Sequence, residues 1–356
     1  MNGVPCMLMR GGTSKGAYFL EDDLPADPAE RDDLLLRVMG TPDPRQIDGL
    51  GGAHPLTSKV GIVSPSADGD TDVDYLFLQL GVDEAFVTDR QNCGNILAGV
   101  APFAIERGLV PAADPTTPVR IRMRNTGSVC TATVATPGAR VDYDGDLAID
   151  GVPGTAAAIP LDFEGVAGSS TGALFPTGNL ADVFDGVPAT CVDAGMPTVI
   201  LRASDLGVTG RESPEELEVD TALTERIERI RLAAGHAMGL GDVAGATTPK
   251  MVLASAPVMG GVVATRSFIP HRVHTSIGVL GAISAAAGMI PAGTVAHDLV
   301  AFPAPGDPFA IEHPTGRFAV DVDVAPAPDG WAVTRAAALR TARKIFDGAI
   351  FPRPRT

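Results

Sequence analysis

Cys93 stands in the polar stretch Gln91-Asn92-Cys93-Gly94-Asn95, directly before an apolar run from Ile96 to Ile105. A cysteine in the first turn of a helix lies among backbone N–H groups that have no intrahelical acceptor. Those groups and the positive end of the helix favour a thiolate or a bound oxyanion, so the position suits acid–base work. Two other stretches bring positive charge. Arg10-Gly11-Gly12-Thr13-Ser14-Lys15-Gly16 follows the apolar strand pattern Val4 to Met9 and gathers an arginine, two hydroxyls and backbone N–H groups, the make-up of a carboxylate cradle. Lys59 heads the apolar run Val60 to Val63 beside Ser58, which predicts a covered stem. The chain has only four lysines, Lys15, Lys59, Lys250 and Lys344, and that scarcity draws attention to each. Taken alone, Cys93 also reads as a small buried hydrophobe and Lys59 as a surface lysine.

Several motif matches do not survive their context. A phosphate loop needs Gly-Lys-Ser/Thr opening a helix, whereas Lys15 precedes Gly16 and the strand-like Ala17-Tyr18-Phe19-Leu20. Gly12-x-Ser14-x-Gly16 and Gly168-x-Ser170-x-Gly172 fit the nucleophile-elbow string, but neither leads into a helical pattern. His271 and His274 are spaced like a metal pair yet have no neighbouring carboxylate or thiolate, so no metal is expected.

Cys93 needs a helix beneath it. Asn92 is a good N-cap and Gly108 a good C′ residue, so 93–107 is predicted as a helix buried on every side. Pro28 to Met39 reads as an amphipathic helix, and Val73 to Val82 alternates as a strand. Short strands are predicted at Val119 to Met123, Ser128 to Ala135, Arg140 to Tyr143 and Leu147 to Ile149. A strand then runs from Val187 through Cys191 to Leu201, followed by a surface helix over Glu212 to His236 and strands at Lys250 to Ala256 and Gly261 to Phe268. The second half thus repeats the first in outline, ending in a second buried helix over 276–289. The expectation is α+β, with an N-terminal lobe over 1–186, a C-terminal lobe over 187–356, and a last strand near Arg340 to Phe346 free to return to the first lobe.

With 356 residues, 45% of them hydrophobic, the chain can bury two cores. A net charge of −16 repels nucleic acid and anionic membranes, so neither is expected as a partner. The four cysteines follow no disulfide or metal spacing, and no leader or bilayer-spanning run is read, which together predict a cytoplasmic protein with reduced thiols.

Two buried helices in two similar lobes, each opening at a polar turn, together with Asn92-Cys93-Gly94-Asn95, resemble the diaminopimelate epimerase superfold. Within it the chain resembles the PrpF-like branch, closest to the 4-oxalomesaconate tautomerases of gallate degradation. The matching stretches are Met9 to Gly16, Gln46 to Lys59, Gln91 to Gly99, Asp205 to Gly210 and Arg266 to Arg272. The resemblance implies two pseudo-symmetric lobes, each a curved, mostly antiparallel sheet wrapped around its central helix. In the amino-acid epimerases of the superfold both helix starts carry a cysteine. Here Ser276 stands at the second, which points away from two-thiol racemisation. The tautomerase-like relatives work with one lysine and one cysteine, and these fall on Lys59 and Cys93.

The implied reaction is a proton shift within an unsaturated oxo-tricarboxylate, without cofactor or metal. Such a reaction needs a base, an acid at the far end of the conjugated system, and positive charge for the carboxylates and enolate. Lys59 and Cys93 would supply the acid and base. Arg10 would bind a carboxylate and lower the lysine pKa, and the N–H groups of Gly94, Asn95 and the region of Ser276 would hold oxyanions. Thr13, Ser14, Ser58, Asn92, Met196, Arg266, Arg272 and His274 are further substrate contacts on this reading. The resemblance also allows a homodimer. Rival expectations are aconitate or methylaconitate isomerisation by the same residues, and a catalytically silent binder of small acids on the same scaffold.

Overall fold

In the computed structural model, which describes residues 3–67, 69–90, 92–270, 272–304, 307–328 and 330–355, the first elements follow the apolar patterning closely. They are β1 (Val4–Gly11), β2 (Ser14–Leu20), α1 (Pro28–Met39), β3 (Lys59–Pro65), β4 (Val73–Leu80) and β5 (Val87–Thr88). After these come α2 (Gly94–Leu97), α3 (Val100–Glu106), β6 (Thr116–Met123) and β7 (Val129–Ala135). The chain divides into two units, Met1–Asp162 with Leu339–Thr356, and Phe163–Ala338. The division therefore falls before Gly186, because the short strand at 182–184 pairs with the strand at 187–193 of the second unit.

In the first unit the last strand, Ala342–Ile350, pairs antiparallel with β1. From there the order runs through β2, β3, β4, β6 and β7, with β2–β3 and β4–β6 parallel and the remaining pairs antiparallel. A parallel β2–β3 pair needs a crossover, and α1 supplies it. Asp27 caps α1 by accepting from the Glu30 N–H, Pro28 occupies its first position, and Gly40 closes it in the left-handed conformation. Leu35, Val38 and Met39 of α1 pack on Ala17, Phe19, Val60, Ile62, Leu76, Leu78 and Leu80, one face of the sheet. The alternate residues of the same strands face the other way, toward α2 and α3.

The continuous helix expected over 93–107 is broken into α2 and α3. Pro102 has no N–H to give the Ala98 carbonyl, and the buried Tyr18 hydroxyl donates to the Ile96 carbonyl at 2.5 Å. The chain therefore turns at Ala98-Gly99. A Cβ on Gly99 would lie 2.4 Å from the Tyr18 hydroxyl oxygen, so only glycine fits this closely.

The second unit repeats this plan with β8 (Ile159–Glu164), which begins before the division, β9 (Asp182–Phe184), β10 (Val187–Asp193) and β11 (Pro197–Arg202). There follow α4 (Pro214–Val219), α5 (Thr221–Ala237), β12 (Lys250–Ser255), β13 (Val263–Phe268) and α6 (Val279–Ala287). The chain ends with β14 (Phe309–His313), β15 (Gly316–Ala327), β16 (Gly330–Arg340) and β17 (Ala342–Ile350). As in the first unit, the pair bridged by a helix is parallel, here β11–β12 with α4 and α5 between. The second parallel pair, β13–β14, corresponds to β4–β6. Leu223, Ile227, Ile230 and Ala234 of α5 pack on Ala189, Cys191, Val199, Leu201, Met251 and Leu253. The opposite face meets the region of α6, where a Cβ on Gly288 would lie 2.6 Å from Ile200. The architecture is α+β.

Three local expectations change. The strand read through Val187 to Leu201 is a hairpin, because the Asp193 carboxylate accepts from the Gly195 N–H and Ala194 N–H donates to Ser284 Oγ, turning the chain at 194–196. Arg140 to Tyr143 and Leu147 to Ile149 are not strands. Their backbone is taken by local turns, such as the Asp144 N–H donated to Asp142 Oδ1, and only a single bridge joins Leu147 to Ala156. The helix over Glu212 to His236 is interrupted at Asp220, whose side chain caps α5 by accepting from the Leu223 N–H.

Gly99→Ala is expected to lower the unfolding free energy by about 1–3 kcal/mol, since the buried Tyr18 ring cannot yield without losing its bond to Ile96. Gly245→Ala, where a Cβ meets nothing within 4 Å, is the control. Equal urea midpoints for the two variants would contradict this account.

Candidate active site

Lys59 is the first residue of β3, where it pairs with Gly16 of β2 on one side and Gln79 of β4 on the other. Its side chain is only 6% exposed. The ammonium Nζ donates to Gln79 Oε1 at 2.6 Å and lies 5.1 Å from the centroid of the Phe77 ring. Gln79 is itself held, its amide nitrogen Nε2 lying 3.1 Å from the carbonyls of Pro55, Ser58 and Leu80, among which its two N–H groups are shared. Tyr75 follows on the same face of β4, and its hydroxyl donates to the Cys93 carbonyl at 3.3 Å. Alternate residues of one strand, 75, 77 and 79, therefore hold both Cys93 and the amine of Lys59.

Burial pushes the Lys59 amine below the ordinary lysine value, and negative charge on Cys93 partly opposes that shift. Arg10 is not the cause, contrary to expectation. Burial also pushes the Tyr18 and Tyr75 phenols well up, with charge on Cys93 adding to both, so each stays a hydrogen-bond donor. These couplings bring Lys59, Tyr18, Tyr75 and Cys93 into one electrostatic neighbourhood inside the first unit.

Cys93 sits at the N-cap position of α2 with extended φ and ψ of −133° and 99°. Asn92, expected to cap, instead donates its Nδ2 to Thr126 Oγ1 at 2.6 Å. A helix of one turn has little macrodipole. What α2 offers beside the thiol are the first N–H groups, those of Gly94 and Asn95, which lie outside its i to i−4 pattern. The Asn95 amide Nδ2 donates to Thr13 Oγ1 at 3.0 Å and approaches Ser14 Oγ at 3.5 Å, so these three expected site residues do come together. Gly12 allows the approach. Its φ is +50°, and a Cβ there would lie 2.1 Å from Asn95 Oδ1.

Other expected contacts are committed elsewhere. Ser58 is fully buried, its hydroxyl 2.8 Å from Gln46 Oε1 and 3.0 Å from the His54 carbonyl with its one proton shared between them, bracing the turn before β3. Arg10 donates to the Gly12 carbonyl at 2.9 Å and to the carbonyl and hydroxyl of Thr341 at 3.1 and 2.9 Å, tying β1 to the returning chain. It is half-buried and retains donors beyond these.

In the second unit α6 begins at Val279, three residues later than expected. The Ser276 N–H is instead donated to His274 Nδ1 at 2.9 Å, and Ser276 Oγ lies 3.3 Å from His313 Nε2. Met196 is buried in the β10–β11 turn. Arg266 is buried and donates to the carbonyls of Glu212 at 2.7 Å and Thr265 at 2.9 Å. Burial holds its guanidinium below the ordinary value, partly offset by Glu212 and Glu312. Arg272 is a surface residue, its side chain 74% exposed and 3.7 Å from the Glu218 carboxylate. Gln91 and His271 lie outside the described residues. Among the described residues no cluster of three or more His, Cys, Asp or Glu side chains could hold a metal ion. No helix among them is long and apolar enough to cross a membrane.

Tyr75, Phe77 and Gln79, which contact Lys59 or the Cys93 carbonyl, are the residues of this candidate site that reading the sequence missed. The available signal was a glutamine two and four residues beyond two aromatic residues, in a strand whose one other polar residue is Asp74. Arg340 was missed too. It is buried, and its Cδ lies 3.2 Å from where a Gly12 Cβ would stand. The surface concavities lined by Arg229, Phe268 and Pro270 and by Arg37, Pro42 and Arg353 contain none of the residues expected at the site.

The family model described as PrpF protein matches residues 1–352. The chain is 56% identical over 352 residues to a (4E)-oxalomesaconate Delta-isomerase of Novosphingobium sp. (strain KA1), covering 99% of this chain and 98% of that one. It is also 56% identical over 349 residues to a 4-oxalomesaconate tautomerase of Pseudomonas putida, covering 98% and 95%. Among solved structures, a methylitaconate-delta-isomerase superposes with a TM-score of 0.81 at 34% identity over 98% of this chain and 95% of the other. A hydroxyproline epimerase from Agrobacterium vitis superposes with a TM-score of 0.59 at 15% identity over 97% and 92%, a likeness of fold alone.

Cys6, Cys130 and Cys191 are buried, and burial pushes the Cys6 and Cys191 thiols up to about 12, while Cys93 is partly exposed. Brief treatment of the native protein with iodoacetamide is therefore expected to alkylate Cys93 at least ~10-fold faster than the other three. Peptide mapping that finds Cys191 labelled as fast would contradict this placement.

Proposed function

Because the chain belongs to the PrpF protein family, we propose that it is an isomerase that shifts a proton within 4-oxalomesaconate, an unsaturated oxo-tricarboxylate, without a cofactor. The observation that carries this reading is the Lys59 amine buried against Gln79 and Phe77 on the strand whose Tyr75 hydroxyl donates to the Cys93 carbonyl, in a chain that matches oxalomesaconate isomerases over nearly its full length.

The proton between a carbonyl and an alkene is acidic, because its removal leaves a dienolate delocalised onto the oxo oxygen. In its neutral form Lys59 takes that proton: the C–H bond breaks, an N–H bond forms, and the electron pair enters the conjugated system. The resulting ammonium is received by Gln79 Oε1 and by the face of Phe77. Cys93 gives its S–H proton to the carbon at the far end of the conjugated system, and in the reverse direction the two residues exchange roles. No net oxidation occurs. Arg10, with the N–H groups of Gly94 and Asn95 and the hydroxyls of Thr13 and Ser14, supports carboxylate binding in the first unit. Four free cysteines fit work in the reducing cytoplasm.

Lys59→Met and Cys93→Ser are each expected to lower kcat on 4-oxalomesaconate by about 10²–10⁴-fold with the fold retained. Turnover in D2O should leave solvent deuterium on carbon. The ammonium form of Lys59 cannot accept a proton, so kcat/KM falls as pH drops through the lysine's pKa. Since burial lowers that pKa, the rising limb should lie below the ordinary lysine value of ~10.4. Near wild-type rates in either variant, or no deuterium in recovered substrate and product, would remove the assignment. Faster turnover of methylaconitate than of 4-oxalomesaconate would transfer the same chemistry to the rival substrate.

A further inference from the structure

The β6–β7 turn carries two side chains that reach in opposite directions along the site. Asn125 Oδ1 accepts from the Phe77 N–H at 3.0 Å, and Asn125 Nδ2 donates to the Phe77 carbonyl at 2.9 Å. β6 pairs in parallel with β4 only as far as Met123 opposite Tyr75. The amide of Asn125 thus takes the place of one more peptide unit, extending the β4 ladder to the residue whose ring lies under Lys59 Nζ. The same Nδ2 donates to the Asp89 carbonyl at 2.7 Å, on the segment that leads to Cys93.

Thr126 completes the arrangement. Its Oγ1 accepts from Asn92 Nδ2 at 2.6 Å and donates to Ser128 Oγ at 3.1 Å. With its proton given to Ser128, the hydroxyl can only present a lone pair to Asn92, and this fixes which way the amide points. Asn92 is 3% exposed, and its Oδ1 has no hydrogen-bond partner, so among the described residues Thr126 is the one side-chain anchor it has. One turn therefore grips both the strand under the lysine and the residue next to the cysteine.

Resting on the acid–base assignment above, we propose that Asn125 and Thr126 are positioning residues that set where the Cys93 thiol stands relative to the Lys59 amine. Neither residue touches the reacting atoms. Acid–base transfer through two side chains tolerates little displacement, so loosening the clamp should slow turnover while leaving the carboxylate contacts intact.

Thr126→Val keeps the shape and removes the acceptor, whereas Thr126→Ser keeps the acceptor. The valine form is expected to lose at least ~10-fold in kcat with KM within about twofold. Its Cys93 should also be alkylated by iodoacetamide at a rate shifted severalfold, and the serine form should restore both values. If the valine form is recovered unfolded, Thr126→Ala takes its place in the same comparison. Alkylation needs no substrate, so it tests the clamp even if 4-oxalomesaconate is not turned over by the unaltered protein. Valine and wild-type proteins alike in alkylation and kcat would overturn the proposal. An alkylation rate shifted equally in the serine and valine forms would also overturn it, since the effect would then not depend on the accepting oxygen.

Discussion

A lysine amine buried against one face of a strand is the constraint on which the first unit turns. Keeping Lys59 out of water is costly, and the cost falls on the charged form. The structure offsets part of it with the Gln79 acceptor and the Phe77 ring. The offset is incomplete, so the amine's pKa stays below the ordinary lysine value, as the role proposed for Lys59 as a base requires. A carboxylate in place of Gln79 would stabilise the ammonium and raise its pKa. A neutral amide, its nitrogen held among three backbone carbonyls, accepts a hydrogen bond from the ammonium without stabilising its charge as strongly.

That arrangement explains features that otherwise look like defects. Breaking the central helix at Ala98-Gly99 releases the Ile96 carbonyl to Tyr18 and leaves α2 as a single turn whose first N–H groups stand beside Cys93. A longer unbroken helix would be more stable in isolation, yet Pro102 and Gly99 both oppose it. Gly11 and Gly12 serve the same end, since side chains there would collide with Asn95. Local stability is given up where backbone must come close to the site, and the sheet core under α1 supplies rigidity from the opposite face.

Elements governed by local patterning were legible in the sequence. The bounds of α1 follow from its apolar spacing, and β1, β4 and β12 follow from alternation or short apolar runs. The neighbours of Cys93 marked it as a candidate, although taken alone it also read as a small buried hydrophobe, and the family resemblance decided between the two. The role of Lys59 came from family resemblance, because nothing adjacent in sequence reveals that Gln79 and Phe77 will face it; that depends on β3–β4 register, a pairing 20 residues apart for Lys59 and Gln79. The partners of Ser58 and Arg272, Gln46 twelve residues and Glu218 54 residues earlier in the chain, were likewise not legible in the sequence. The lobe boundary was misplaced because the strand pairing that sets it joins β9 to β10 across Gly186, where glycine reads as a break.

With only four lysines, the ionisation of each can be followed directly by NMR of protein labelled at the lysine side chain, using Lys59→Met to assign the signal. One resonance, absent from that variant, should titrate below the ordinary lysine value of ~10.4 and move further down when Gln79 is replaced by leucine. Four lysines titrating together at the ordinary value would contradict the claim that this strand holds a buried base.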